Sequence, residues 1–120
     1  MGNFRQLRVW KKAKDLAVLI YRLTADNESL SKDFRFRDQM RSAAVSVPSN
    51  IAEGDELDTN KQSIRHFYIA KGSTAEIITQ IIIAQEIGHL PEDTANDLIR
   101  EYEHISHMLA KLIQARKTPE

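Results

Sequence analysis

Glu101 and His104 stand three residues apart in the segment Glu101-Tyr102-Glu103-His104. This spacing is half of the ligand set that helical bundles use for a di-iron centre. A complete centre needs a second Glu-x-x-His pair and two further glutamates on facing helices, and nothing earlier in the chain repeats the pattern. His104 and His107 would give a surface metal only two ligands. We expect an exposed polar helix face and no metal site.

Three serines, Ser42, Ser46 and Ser49, could supply a nucleophile. None has a histidine at a useful offset, and no Gly-x-Ser-x-Gly turn is present. The chain has no cysteine, which excludes thiolate catalysis. Gly72 and Gly88 stand alone and form no phosphate-binding loop. We therefore expect a non-enzyme with no catalytic residue and no cofactor, in which the serines let a helix pack closely. Close helix packing should also offset the cost of Gly72 in a helix.

Cations are concentrated at the start of a chain whose net charge is zero. Residues 1–41 hold ten Lys and Arg against five Asp and Glu, whereas residues 42–120 hold seven against twelve. Two amphipathic halves that happen to differ would explain this, and so would a basic surface that meets phosphate. The candidate nucleic-acid-binding residues are Arg5, Arg8, Lys11, Lys12, Lys14, Arg35 and Arg37. Trp10 follows the predicted core stripe, so no aromatic side chain is expected among them.

Apolar residues recur every three or four positions along the whole chain, which predicts helices. The expected bounds are about 7–25, 32–54, 60–87 and 91–115. Thr59 or Asn60 should cap the third helix, and Gly54 and Gly88 should end the second and third. Pro48 lies inside the second helix and should kink it near Val47. The predicted fold is all-α, one domain over 1–120, an antiparallel up-down four-helix bundle.

Two of these helices carry more apolar residues than one buried face requires. The surplus predicts a homo-oligomer, because a stable monomer seldom exposes a large apolar patch. The periodicity leaves open which face is core and which is interface. The candidate interface residues are Leu16, Leu19, Leu23, Ile77, Ile81 and Ile82.

The N-terminal segment lacks the apolar stretch of a signal peptide, and no apolar run approaches the ~20 residues of a membrane helix. We expect a soluble, cytoplasmic protein with no membrane partner and no small-molecule substrate.

Three segments of the chain resemble a known family. They are Arg41-Ser42-Ala43-Ala44-Val45-Ser46-Val47-Pro48-Ser49-Asn50-Ile51-Ala52-Glu53-Gly54, the opening Phe4…Leu7-Arg8-Val9-Trp10, and Phe67-Tyr68-Ile69-Ala70-Lys71-Gly72-Ser73…Glu76. They are similar to four-helix-bundle proteins encoded in intervening sequences of bacterial 23S ribosomal RNA genes, filed as the S23 ribosomal protein family. The chain departs from that pattern in the acidic loop Gly54-Asp55-Glu56-Leu57-Asp58 and at Ser42, where a second arginine is common.

The resemblance implies a homopentameric ring. It also implies a relation to the accessory variability proteins of diversity-generating retroelements, which work with a reverse transcriptase and nucleic acid. Two functional hypotheses remain. The protein associates with RNA, DNA or a ribonucleoprotein through its basic N-terminal third, or it is an oligomeric protein–protein interaction scaffold without nucleic-acid contact.

Overall fold

A computed structural model describes residues 2–117, and all regular structure within this range is helical. A 3-10 turn, Phe4–Gln6, precedes five α-helices. The helices are α1 Arg8–Asp26, α2 Glu28–Lys32, α3 Phe34–Glu56, α4 Asn60–Glu86 and α5 Glu92–Lys117. Within residues 2–117, no helix is both long and apolar enough to cross a membrane.

The polar segment after α1, expected to be a turn, contains the short helix α2. Asn27 begins it, because its side-chain oxygen accepts a hydrogen bond from the Leu30 backbone N–H at 2.9 Å. The Asn27 amide nitrogen also donates to the carbonyl oxygen of His89 at 2.8 Å. Leu30 is fully buried. A cap, a long-range hydrogen bond and one buried leucine therefore make a helix where polarity alone predicted a turn.

Helix α3 runs through Pro48 without interruption, as predicted, but it ends at Glu56 and not at Gly54. Gly54 does not have the positive φ of a helix-ending glycine. It is buried within the helix, and its carbonyl accepts a hydrogen bond from Ser63 Oγ at 2.6 Å. The prediction for Gly54 was wrong because the residue serves helix packing. The bend expected near Val47 stays a prediction.

The ends of α4 follow the sequence signals. Thr59 caps the helix, its side chain accepting from the Gln62 N–H at 3.2 Å. Gly88 follows the helix with a φ of +87°, a left-handed conformation that glycine adopts without steric cost. Pro91 precedes α5, whose first turn carries Glu92 and Asp93 at the positive end of the helix dipole.

Four long helices, α1, α3, α4 and α5, pack around one core in a body of 50 × 20 × 19 Å. Each of them approaches two others: α1 packs on α3 and α5, and α4 packs on α3 and α5. No Cα atom of α1 lies within 8 Å of one in α4, and the same holds for α3 and α5. Helices α1 and α4 therefore stand at opposite corners of the bundle.

Candidate assembly and nucleic-acid-binding surfaces

The residues first considered for catalysis or metal binding lie on the surface or in helix contacts. Glu101 Oε1 forms an ion pair with Lys12 Nζ at 3.0 Å. His104 and His107 are exposed. Among residues 2–117, no group of three or more His, Asp or Glu side chains could hold a metal ion. This surface of α5 offers a solvated polar face.

A chain of polar contacts joins α3 to α4. Ser46 Oγ lies 2.8 Å from Ser73 Oγ, and the Asn50 amide nitrogen donates to the Ser46 carbonyl at 2.9 Å. The Asn50 side-chain oxygen lies 3.2 Å from His66 Nδ1. No spacing in the sequence links His66 to Asn50, because the two residues lie on different helices. Of the three serines of α3, only Ser46 lies in this contact, where it shares a hydrogen bond with Ser73 of α4, whereas Ser42 and Ser49 are exposed.

Three cations at the start of the chain are free of acidic partners. Arg5, Arg8 and Lys11 are exposed, and none forms an ion pair with any residue in the range 2–117. Lys12 and Lys14 are paired, Lys12 with Glu101 and Lys14 with Asp15 at 2.7 Å. Arg8, Lys11 and Lys12 line a groove of about 430 Å³ between α1 and α5.

The other two candidate cations, Arg35 and Arg37, lie far from this groove. They belong to the first turn of α3, whereas Gly2 contacts Asp55 in the last turn of that helix. Twenty residues of α-helix separate these ends by about 30 Å. Arg37 is also occupied, with Nε 3.0 Å from Asp38 and its guanidinium 5.0 Å from the Phe34 ring. Within one chain the seven cations therefore lie in two groups, and the basic face expected of an assembly stays a prediction.

Trp10 is only partly buried, contrary to the core position that its spacing predicted. Its ring meets the edge of Phe4 at 5.1 Å between centroids, and Lys14 Nζ lies 6.0 Å from it. The turn Phe4–Gln6 folds back beside α1, and no residue pattern indicated this turn. Aromatic rings consequently lie among the N-terminal cations.

The acidic loop at the end of α3 is partly neutralised within the chain. The Asp55 side chain is only 5% exposed, and its Oδ1 accepts from Arg116 Nη2 at 2.7 Å. Its other oxygen, Oδ2, is buried without a hydrogen-bond partner in the described chain and faces Gly2. Glu56 and Asp58 are exposed and form no ion pair within residues 2–117.

Tyr102 is the largest fully buried side chain of the core. Burial raises the pKa of its phenol well above the ordinary value, because the phenolate would lose its hydration. Within residues 2–117, its hydroxyl has no hydrogen-bond partner.

The predicted oligomer interface divides into core and surface residues. Ile77 and Ile81 are 0% exposed and Leu16 is buried, so these three have no surface to offer a second copy. They are removed from the interface set. Leu23 is half-buried and packs on the core, while Leu19 and Ile82 remain 47% and 40% exposed. Helix α4 packs between α3 and α5. Its sequence is apolar around most of the helix, so the periodicity could not show which side faces these two neighbours.

The exposed apolar residues lie mainly on α1 and α4. Helix α1 exposes Val18, Leu19 and Tyr21, and α4 exposes Tyr68, Ile69, Ile82 and Ile83, with Ile87 just beyond its end. These two helices occupy opposite corners of the bundle. The chain thus has two outward apolar faces that point away from one another.

These features define an all-α helical protein with a packed core and apolar faces on two of its helices. The chain belongs to the 23S rRNA-intervening sequence protein family, whose model matches residues 5–111. A crystal structure of a protein of unknown function from the S23 ribosomal protein family of Bacteroides thetaiotaomicron has a similar fold. The TM-score is 0.83 at 19% identity, covering 88% of this chain and 95% of that one. No curated protein sequence matches this chain.

Proposed function

We propose that this protein is a non-enzymatic four-helix bundle of up-down antiparallel topology that assembles as a homo-oligomeric ring and associates with nucleic acid. The observation that carries the assembly is the pair of apolar faces on α1 and α4, because both remain exposed after the core is complete. Apolar faces of this kind are typical of surfaces that bind another protein.

The contacts between helices support the up-down topology. Thr24, near the end of α1, accepts a hydrogen bond from Arg41, near the start of α3, at 2.8 Å. Gly54, near the end of α3, accepts one from Ser63, near the start of α4. Asn27, just after α1, bonds to His89, just before α5. Each of these contacts is the kind expected between neighbouring helices that run in opposite directions.

The nucleic-acid surface consists of Arg5, Arg8 and Lys11, three exposed cations near the start of α1 that form no ion pair within residues 2–117. Each cation that neutralises a phosphate releases counterions, so several copies in a ring multiply a weak contact. Phe4 and Trp10 lie beside these cations and could stack on unpaired bases. The family is named for ribosomal RNA intervening sequences, which makes RNA the first ligand to test.

The experiment is a salt titration of binding to single-stranded RNA, single-stranded DNA and duplex DNA. Wild type should bind at low salt, and Arg5→Glu/Arg8→Glu/Lys11→Glu should abolish binding. Lys32→Glu/Arg35→Glu/Arg100→Glu is the matched control, since it changes charge equally at exposed cations outside the assigned surface, with Lys32 and Arg35 near the opposite end of the bundle. The control should weaken binding only slightly. Fluorescence of Trp10, the only tryptophan, offers an independent signal.

Equal loss in both triple variants would indicate nonspecific attraction and contradict the assigned surface. If wild type binds none of the three ligands at low salt, the alternative function replaces this one. In that case the assembly is a scaffold whose partners are proteins.

A further inference from the structure

Gly72 is exposed in the middle of α4. Apart from its two chain neighbours and the backbone of its own helix, no atom of residues 2–117 lies within 4 Å of where its β-carbon would be. A glycine inside a helix costs about 1 kcal/mol relative to alanine. Close packing against another helix was the expected compensation, and the single chain does not provide it. A helix of a second molecule could approach the backbone at this point.

The faces beside Gly72 and on α1 lie at similar heights along the bundle. Arg41 of α3 contacts Thr24 of α1, and Ser46 of α3 contacts Ser73 of α4. Arg41 and Ser46 are separated by five residues, or about 7.5 Å of helix. Counting the same distance back from Thr24 reaches Leu19. Leu19 and Val18 therefore stand at about the height of Ser73 and Gly72, on the opposite corner.

Charges on the two faces are complementary when the helices run in the same direction. Arg22 lies one turn beyond Leu19, and Glu76 lies one turn beyond Ser73. Both are exposed, and neither has an ion pair or hydrogen bond with any residue in the range 2–117. In the other direction the same register sets Asp15 level with Ile69 and Lys11 level with Arg65, so the complementary charges are Arg22 and Glu76 alone.

We infer that the outer face of α1 in one copy docks on the outer face of α4 in the next, with Val18 over Gly72 and Arg22 beside Glu76. This inference rests on the proposed assembly and names its surfaces. The two faces differ, so the contact is heterologous. Each copy uses its α1 face toward one neighbour and its α4 face toward the other. A repeated heterologous contact produces a closed ring when its rotation closes. Arg5 lies before α1 and stays outside the contact, whereas Arg8 and Lys11 lie level with the first turns of the neighbouring α4.

Engineered cysteines give a direct test, because the natural chain has none. Val18→Cys and Gly72→Cys are made separately, mixed after purification, allowed to exchange subunits and mildly oxidised. The mixture should yield disulfide-linked dimers, and each variant alone should stay unlinked. The double variant should give a ladder of linked chains. Val18→Cys mixed with Ala110→Cys, an exposed position on α5, is the control that should not link.

A charge exchange provides the second measurement. Arg22→Glu or Glu76→Arg should each weaken self-association by about tenfold, because like charges then face one another. The double exchange should restore wild-type association. Circular dichroism checks that every variant remains helical.

The outcomes separate this inference from the proposed function. If Gly72→Cys or Val18→Cys links to itself in an assembled protein, the contact is isologous and the α1–α4 pairing is overturned while assembly stands. An assembled protein whose mixed variants stay unlinked also overturns the pairing. A monomeric wild type at all concentrations overturns both proposals.

Discussion

The ring of Phe67 lies against the backbone of Gly54, so that a β-carbon at Gly54 would stand 2.7 Å from Phe67 Cε1. Gly54→Ala should therefore destabilise the chain by about 1–3 kcal/mol, as overpacking of a core does. Urea unfolding followed by circular dichroism measures the change.

Gly72→Ala is the matched control, because the same substitution meets open space within the chain. At a protein concentration where the chain is dissociated, it should be neutral or stabilise the helix by up to about 1 kcal/mol. Equal destabilisation at both positions would contradict the distinction between a packed and an open glycine.

Arg116 should matter more to stability than a surface arginine in a similar pair. Its partner Asp55 is buried, so Arg116→Met leaves an uncompensated carboxylate and should cost about 2 kcal/mol or more. Arg100→Met is the comparison, because Arg100 and its partner Asp97 are both exposed. That change should cost less than about 0.5 kcal/mol.

Adding Asp55→Asn to Arg116→Met removes the buried charge and should recover part of the lost stability. Unfolding free energies of the two singles and the double decide this. A double variant less stable than Arg116→Met alone would show that the charge of Asp55 is not what makes the loss large.

Tyr102→Phe should stabilise the protein or leave it unchanged, because the hydroxyl is buried without a partner among residues 2–117. The variant should also resist alkali better. Burial raises the folded-state pKa of Tyr102, so above about pH 10 the unfolded chain releases a proton that the folded chain keeps. Wild-type stability should consequently fall as pH rises through this range. An identical fall in Tyr102→Phe would assign it to other groups.

The sequence predicted helices, caps and stops well where the signals are local. Thr59 and Gly88 act through their own backbone and neighbours, so spacing and residue type were sufficient. The prediction for Gly54 was wrong because residue type alone does not distinguish a glycine that ends a helix from one that makes room for an aromatic ring. Only the position of Phe67 on another helix separates them.

The candidate surfaces were less predictable, since they depend on which helices are neighbours. Ile81 and Ile82 are adjacent and chemically alike, yet one is in the core and the other is 40% exposed. Likewise, Arg8 and Arg35 both belong to the basic first third of the sequence. The length of α3 nevertheless places them near opposite ends of the bundle. The partial exposure of Trp10 and its contact with Phe4 were not predicted, because the contact depends on a turn before the first helix.

Both the proposed ring and the repetition of its basic surface require that copies of the chain associate. Light scattering on wild type at micromolar concentration, after gel filtration, measures the mass directly. A homopentameric ring should give one species of about five times the 13.8 kDa chain mass. A single species at the mass of one chain over the whole micromolar range would contradict it.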